Sequence, residues 1–135
     1  IHSVDSVELA CEINRRAEAA GLQQDILVEV NVGEEPTKAG FRPDRLEEIV
    51  PELGNLAHVR VRGLMTIPPQ VDDSERVRPY FSCLRRLAER LSRYASPTVV
   101  MEELSMGMSH DYVVAIEEGA TIVRVGSAIF GTRYV

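Results

Sequence analysis

The sequence predicts an α/β fold built on a parallel sheet. Strand-forming runs alternate regularly with helical patterns of about 10–20 residues, which is typical of consecutive right-handed βαβ units. The predicted strands are mostly apolar and β-branched, as in sheets whose strands are buried on both faces. Polar or glycine-containing loops follow the strands, so we expect function at the carboxyl ends of the strands.

The first half of the chain predicts an opening strand end at residues 1–5, followed by a helix. Asp5 is expected to cap that helix, whose apolar stripe ends at Gly21. Residues 26–32 form the next strand, and a polar loop follows it. Pro43 suits the first turn of a second helix. Its apolar positions have helical spacing and are Leu46, Ile49, Val50 and Leu53.

The second half continues the alternation with a strand at residues 59–65 and a long helix. Pro79 either lies near the start of that helix or marks a kink. The inward positions of the helix are Phe81, Leu84, Leu87 and Leu91. The next strand is predicted at residues 98–105.

The last predicted elements are a short helix and a final strand. Ser109 is expected to cap the helix, which holds Ala115 and Ile116 and stops at Gly119. The final strand covers residues 122–125, and residues 129–130 are expected to pack after it.

Composition narrows the classes of partner. The chain has 135 residues, enough for one domain, and a net charge of −6 without a basic tract. Nucleic acid and anionic membranes are therefore poor partners. No apolar run approaches the roughly 20 residues that span a bilayer. Cys11 and Cys83 lie in separate helical patterns, so we expect reduced thiols in a cytoplasmic protein. The histidines lack metal-ligand spacing, and no metal site is predicted.

Two predicted strand ends near the C-terminus carry glycine followed by serine. They are Gly107-Met108-Ser109 and Gly126-Ser127. Unpaired backbone amides at such ends suit a phosphate, and a (β/α) barrel binds phosphate after its last two strands. Tight turns that simply need glycine are the alternative.

Arg124 lies inside an apolar strand, where an unpaired charge is costly. Either the arginine forms a structural salt bridge, or it lies on the inner face of the barrel and holds a ligand acceptor. A guanidinium cannot give up its proton, so it would keep a heteroaromatic nitrogen unprotonated.

Other polar residues carry weaker signals. Lys38 is the single lysine, and a Schiff base needs one, yet it lies in a polar loop where lysines are usually solvated. Asn31 at a strand end either contacts a ligand or forms an ordinary cap. His110 and Asp111 resemble half of a catalytic pair without a nucleophile. No catalytic residue is predicted.

Four motifs are similar, in order and spacing, to the pyridoxal-phosphate homeostasis proteins of the YggS/PROSC type. They are residues 31–40, 62–68, 104–109 and 123–131. That family resembles the barrel domain of alanine racemase without its second domain. The resemblance implies a pyridoxal 5′-phosphate (PLP)-binding TIM-type (β/α) barrel, of which this chain holds about the last five strands with their helices.

The resemblance also implies a role and a set of cofactor residues. Such proteins bind PLP through a lysine imine, have no established catalysis, and take part in intracellular vitamin B6 and amino-acid homeostasis. By resemblance, the phosphate would be surrounded by Ser105, Met106, Gly107, Gly126 and Ser127. Arg124 would face the pyridine nitrogen, which makes the bound ring a weak electron sink. The Schiff-base lysine would lie upstream of Ile1, and Lys38 matches a different family lysine.

Two alternatives stay open at this point. One is a PLP-dependent racemase or decarboxylase of alanine racemase type, which would need an acid/base residue opposite the lysine. The other is a phosphate-binding barrel fragment unrelated to PLP.

We expect residues 1–135 to be the C-terminal part of a single barrel domain. The chain begins at Ile1 within a strand-like segment, which suggests a piece of a longer protein. Such a piece leaves open sheet edges and an exposed inner face. We therefore expect copies of the fragment to pair through those edges. For the full-length protein we expect a monomer.

Overall fold

A computed structural model describes residues 1–133 as an open, half-barrel parallel sheet covered by helices on one face. The strands are β1 (Gln24–Glu29), β2 (Val59–Met65), β3 (Val99–Met108) and β4 (Ile122–Arg124), in the order β1-β2-β3-β4. All three strand pairs are parallel. The predicted α/β fold with a parallel sheet is therefore confirmed.

Within the described residues, five α-helices precede, connect or follow the strands. They are α1 (Val7–Ala19), α2 (Leu46–Leu53), α3 (Arg78–Leu91), α4 (Tyr112–Glu117) and α5 (Ser127–Phe130). Short 3-10 turns at Pro43–Arg45, Ser74–Val77 and Ser92–Tyr94 extend α2 and α3. No helix within residues 1–133 is long and apolar enough to cross a membrane.

The opening segment adds a further parallel contact beside β1. Val4 forms an isolated parallel bridge with Val28, and the Leu27 amide donates to the Ile1 carbonyl at 2.8 Å. The segment that we predicted as a strand end therefore lies in the plane of the sheet, although its pairing is too short to count as a fifth strand.

The hydrophobic core lies between the sheet and the helices. Phe81 and Leu84 of α3 and Leu46 of α2 are fully buried against the strands. Alternate residues of β3, Leu104 and Met106, belong to the same cluster. Because side chains alternate along a strand, Ser105 between them points to the opposite, helix-free face. That alternation places polar groups on one face of the sheet and the core on the other.

Local signals placed most elements within a few residues. The predicted limits of β2 agree with the structure, and Pro79 is the second residue of α3, where its missing N–H costs nothing. Our Asp5 cap is wrong: the Ser6 hydroxyl accepts from the Leu9 amide at 3.1 Å and caps α1. The strand predicted at residues 26–32 ends at Glu29, and Val30 forms an isolated bridge with Phe41 while its amide donates to the Met65 carbonyl of β2.

The predictions for the C-terminal elements need larger corrections. β3 continues to Met108, three residues beyond the predicted end. Ile129 and Phe130, expected to pack after the final strand, are 69% and 85% exposed. Helical spacing alone could not show which side of these short elements meets the sheet.

Candidate functional site

A cleft of about 800 Å³ opens at the carboxyl ends of β2, β3 and β4. Its walls come from the loops after β2 and β3 and from the junction of β4 with α5. The lining residues are 67–72, 108–111, Val77, Arg124, Gly126 and Ser127. The cleft lies where parallel α/β sheets place their ligands.

Arg124 supplies a fixed positive charge at this cleft. Its Nη1 donates to Ser105 Oγ at 2.6 Å and its Nη2 donates to the Thr66 carbonyl at 2.9 Å. Burial lowers the pKa of Arg124, while the negative charges of Glu29 and Asp111 raise it. A guanidinium remains protonated under such conditions. The side chain is half-buried and held on the helix-free face, as the ligand-holding alternative required, and it has no carboxylate hydrogen-bond partner among residues 1–133.

Ser109 ties the two C-terminal loops together. Its Oγ accepts from the Gly126 amide at 3.0 Å and from the Ala128 amide at 3.1 Å. The predicted capping of α4 by Ser109 is wrong, because the N-cap residue of α4 is Asp111. Asp111 Oδ1 accepts from the Met108 amide at 2.7 Å. The Ser109 hydroxyl oxygen, in the loop after β3, therefore bridges the Gly126 and Ala128 amides in the segment after β4.

The two glycines of the predicted strand ends lie in different surroundings. Gly107 lies within β3 at φ +96°, and a Cβ there would lie 2.6 Å from the Cβ of Ala115 on α4. This glycine is required by the close approach of α4. A Cβ on Gly126 would meet nothing within 4 Å, so open space of the cleft surrounds its backbone.

The other predicted cofactor residues separate into two groups. Ser127 is exposed and lines the cleft, beside Gly126. Ser105 is fully buried beneath Arg124, and Met106 is fully buried in the core on the helix side of β3. Met106 and Gly107 thus lie behind the cleft, because β3 extends past them. Nothing in the structure tests their predicted contact with a cofactor, which stays a prediction.

Lys38 and Asn31 hold their own loop. Lys38 Nζ lies 2.9 Å from Glu35 Oε2 and donates to the Pro68 carbonyl at 3.4 Å. The Asn31 amide group donates to the Glu35 carbonyl at 2.7 Å and accepts from the Glu35 amide at 3.2 Å. Asn31 therefore closes a turn, as the ordinary-cap interpretation held. His110 and Asp111 both line the cleft.

Two residues near Arg124 escaped the sequence analysis as site residues. His2 Nδ1 lies 3.0 Å from Ser105 Oγ, across the helix-free face. Glu29 at the end of β1 is 8% exposed, and burial, followed by the negative charge of Asp5, raises its pKa. The charge of Arg124 opposes that rise. The alternation of β1 could have placed Glu29 on the polar face, whereas no local pattern points to His2.

The ionisable groups do not assemble a metal centre. Among residues 1–133, no group of three or more His, Cys, Asp or Glu side chains could hold a metal ion.

The arrangement defines a class of protein before any comparison is made. A parallel half-barrel sheet with helices on one face, and with a guanidinium in a cleft at the strands' carboxyl ends, defines an α/β protein of the (β/α) barrel class. The chain belongs to the family described as "Alanine racemase, N-terminal domain", whose sequence profile matches residues 1–134.

Relatives of known name narrow the resemblance further. The chain is 53% identical over 133 residues to the "Pyridoxal phosphate homeostasis protein" of Aquifex aeolicus, covering 98% of this chain and 58% of that protein. The Pasteurella multocida protein of the same name is 33% identical, with 57% of it covered. The predicted resemblance to pyridoxal-phosphate homeostasis proteins is confirmed. The chain spans little more than half the length of these relatives.

A solved structure agrees with the fold. PipY of Synechococcus elongatus, in a solved structure with PLP bound, is 39% identical to this chain with a TM-score of 0.86. The match covers 97% of this chain and 60% of PipY.

Proposed function

We propose that this chain forms part of a PLP-binding protein that takes part in intracellular vitamin B6 and amino-acid homeostasis without catalysing a reaction. The half-buried guanidinium of Arg124 is the observation that carries the proposal, because it is fixed in the cleft by two hydrogen bonds and free of a carboxylate partner among the described residues. The names of the relatives and the PLP held by PipY support the choice of ligand.

The residues of the cleft fit the two ends of PLP. Arg124 would hold the pyridine nitrogen as an acceptor, and since arginine keeps its proton, that nitrogen would stay unprotonated. PLP itself supplies an aldehyde that condenses with amines and a ring that can withdraw electrons. An unprotonated ring withdraws them poorly, which suits storage and transfer better than bond-breaking chemistry.

The phosphate end would lie against Ser109, Gly126 and Ser127. Gly126 has open space where a side chain would project, so a phosphate can approach its backbone. The Ser109 hydroxyl already places an acceptor oxygen between the Gly126 and Ala128 amides. Ser105, Met106 and Gly107 would support this region from within β3, with Ser105 acting through Arg124.

The proposal extends to the domain. We expect residues 1–135 to belong to one PLP-binding (β/α) barrel, as its last five strands, with the Schiff-base lysine elsewhere in the longer polypeptide. The parallel bridge of Val4 beside β1 supports a fifth strand position. A cytoplasmic location, a monomeric full-length protein and pairing of the fragment through its open edges stay predictions.

The test compares PLP retention in full-length protein carrying Arg124→Leu or Arg60→Leu. Arg60 is a matched control, because it lies on the neighbouring strand β2 and pairs with Asp25 at 2.6 Å, outside the cleft. We expect Arg124→Leu to lose bound PLP during gel filtration, followed by imine absorbance, and Arg60→Leu to keep it. Equal retention of PLP by both variants would show that Arg124 has only a structural role.

A second measurement addresses the enzyme alternative. Alanine racemisation by the full-length wild-type protein should not exceed that of free PLP at the same concentration. Turnover well above this level would assign the protein to the catalytic branch of its family.

A further inference from the structure

The side chain of His2 crosses the helix-free face of the sheet to reach β3. His2 belongs to the segment beside β1, and Ser105 belongs to β3, so β1 and β2 lie between them in the sheet. Nevertheless, His2 Nδ1 is 3.0 Å from Ser105 Oγ. Such a contact requires the sheet to be concave on this face, with the imidazole spanning the concavity.

An irregular ladder turns His2 toward this face. The amide and carbonyl of Leu27 bond to the Ile1 carbonyl at 2.8 Å and to the Val4 amide at 3.4 Å. In a regular parallel ladder, one residue bonds to two residues of the neighbouring strand that are two positions apart in sequence. Ile1 and Val4, which both bond to Leu27, are three positions apart. The extra residue is a bulge, which lets Val4 enter the core while His2 points to the polar face.

The hydroxyl of Ser105 fixes the protonation state of the imidazole. Ser105 is fully buried, and the hydrogen-bond partners of its Oγ within residues 1–133 are Arg124 Nη1 at 2.6 Å and His2 Nδ1 at 3.0 Å. A guanidinium only donates, so the buried hydroxyl proton has an acceptor among these partners only if Nδ1 carries no proton. We therefore assign to His2 the neutral tautomer that carries its proton on Nε2.

We propose that His2 is a positioning residue that orients Arg124 through Ser105, and that protonation of His2 weakens the binding of the pyridine ring by Arg124. The proposal rests on the proposed PLP site. Neutral His2 takes the hydroxyl proton and leaves a lone pair of Ser105 Oγ for Arg124. Imidazolium would instead donate to the same oxygen, which would leave the buried hydroxyl proton without an acceptor among these partners.

Protonation would also place a second positive charge beside Arg124. The charged side chains around His2 come from all four strands. They are Asp25, Arg62, Glu103 and Arg124. Asp25 forms an ion pair with Arg60, and Arg62 forms an ion pair with Glu102. The charges of Asp25 and Arg62 are therefore largely neutralised by these partners.

The balance of these groups favours the neutral imidazole. Burial, followed by the positive charge of Arg124, lowers the pKa of His2 below the ordinary 6.5, and the negative charge of Glu103 opposes this. His2 is thus neutral at pH 7, and the pH at which it takes up a proton lies below 6.5.

The test measures PLP affinity between pH 8 and pH 5 in full-length wild-type protein and in His2→Asn. The asparagine amide oxygen can accept the Ser105 proton but does not titrate. We expect the wild type to lose about tenfold more affinity on acidification than His2→Asn, a coupling of ordinary size. Superimposable pH profiles would overturn the proposal.

A double-mutant comparison separates the relay from a general packing effect. In a Ser105→Ala background, His2→Asn should leave the pH profile of PLP affinity unchanged, because the connection to Arg124 is gone. A pH effect of His2→Asn that is as large in that background as in the wild type would show that Ser105 does not transmit it.

A ligand-free measurement keeps the inference distinct from the proposed function. Nitrogen-15 NMR of the His2 ring should show an unprotonated Nδ1, a protonated Nε2 and a titration below pH 6.5. A proton on Nδ1 at pH 7 would overturn the relay even if PLP binds. If PLP does not bind at pH 8, the proposed function fails, and the NMR result still decides the relay.

Discussion

Replacing Gly107 with alanine tests whether α4 is held against β3 as tightly as the structure indicates. The new Cβ would lie 2.6 Å from the Cβ of Ala115 and 3.1 Å from the Cα of Tyr112, and the backbone has φ +96°. Left-handed backbone costs a non-glycine residue about 1–2 kcal/mol, and an overpacked methyl costs about 1–3 kcal/mol. We therefore expect a loss of about 2–5 kcal/mol in the free energy of unfolding.

Gly126→Ala is the matched control, because a Cβ there meets nothing within 4 Å. Urea unfolding of both variants in the full-length protein should show a much lower midpoint for Gly107→Ala and a change within about 0.5 kcal/mol for Gly126→Ala. Gly126→Ala should still weaken PLP binding, since the methyl group projects into the cleft. Equal stability of the two variants would refute the packing argument for β3 and α4.

The remaining predictions concern charges. Burial and the charge of Asp5 raise the pKa of Glu29 above 4.5, so the carboxyl holds its proton more firmly in the native state than in the unfolded state. The protonated carboxyl therefore stabilises the fold below pH 4.5. This stabilisation is lost as the pH rises through the native pKa. Glu29→Gln should therefore raise the melting temperature at pH 7 and not at pH 4, by calorimetry. Arg78 pairs with Glu117, the last residue of α4, and with Glu118, which caps that helix. Arg78→Ala should therefore lower the melting temperature, and 1 M salt should shrink the difference. A salt-independent loss would point to packing of the arginine stem instead.

The fold could be predicted because its strands are apolar runs separated by helical patterns. β2 illustrates this, since residues 59–65 are strand-forming and are followed by prolines that stop the strand. β3 shows the limit. The glycine at position 107 looked like a strand end, but it stands within the strand because α4 leaves no room for a side chain.

The candidate site could be predicted in part. Arg124 could be predicted as a site residue because an unpaired charge inside an apolar strand is costly. In the structure its guanidinium donates to polar partners on the helix-free face. Ser109 was predicted only as a serine after a strand-end glycine and as a helix cap, and His2 gave no signal. Their partners lie 17 and 103 residues away in sequence, at Gly126 and Ser105, so only the folded chain brings them together.

The most direct measurement is nitrogen-15 NMR of PLP labelled at its ring nitrogen and bound to the full-length protein. If Arg124 donates to that nitrogen, the ring signal should be that of an unprotonated pyridine from pH 6 to pH 8, and Arg124→Leu should abolish it or shift it. A pyridinium signal in the wild type would contradict the account.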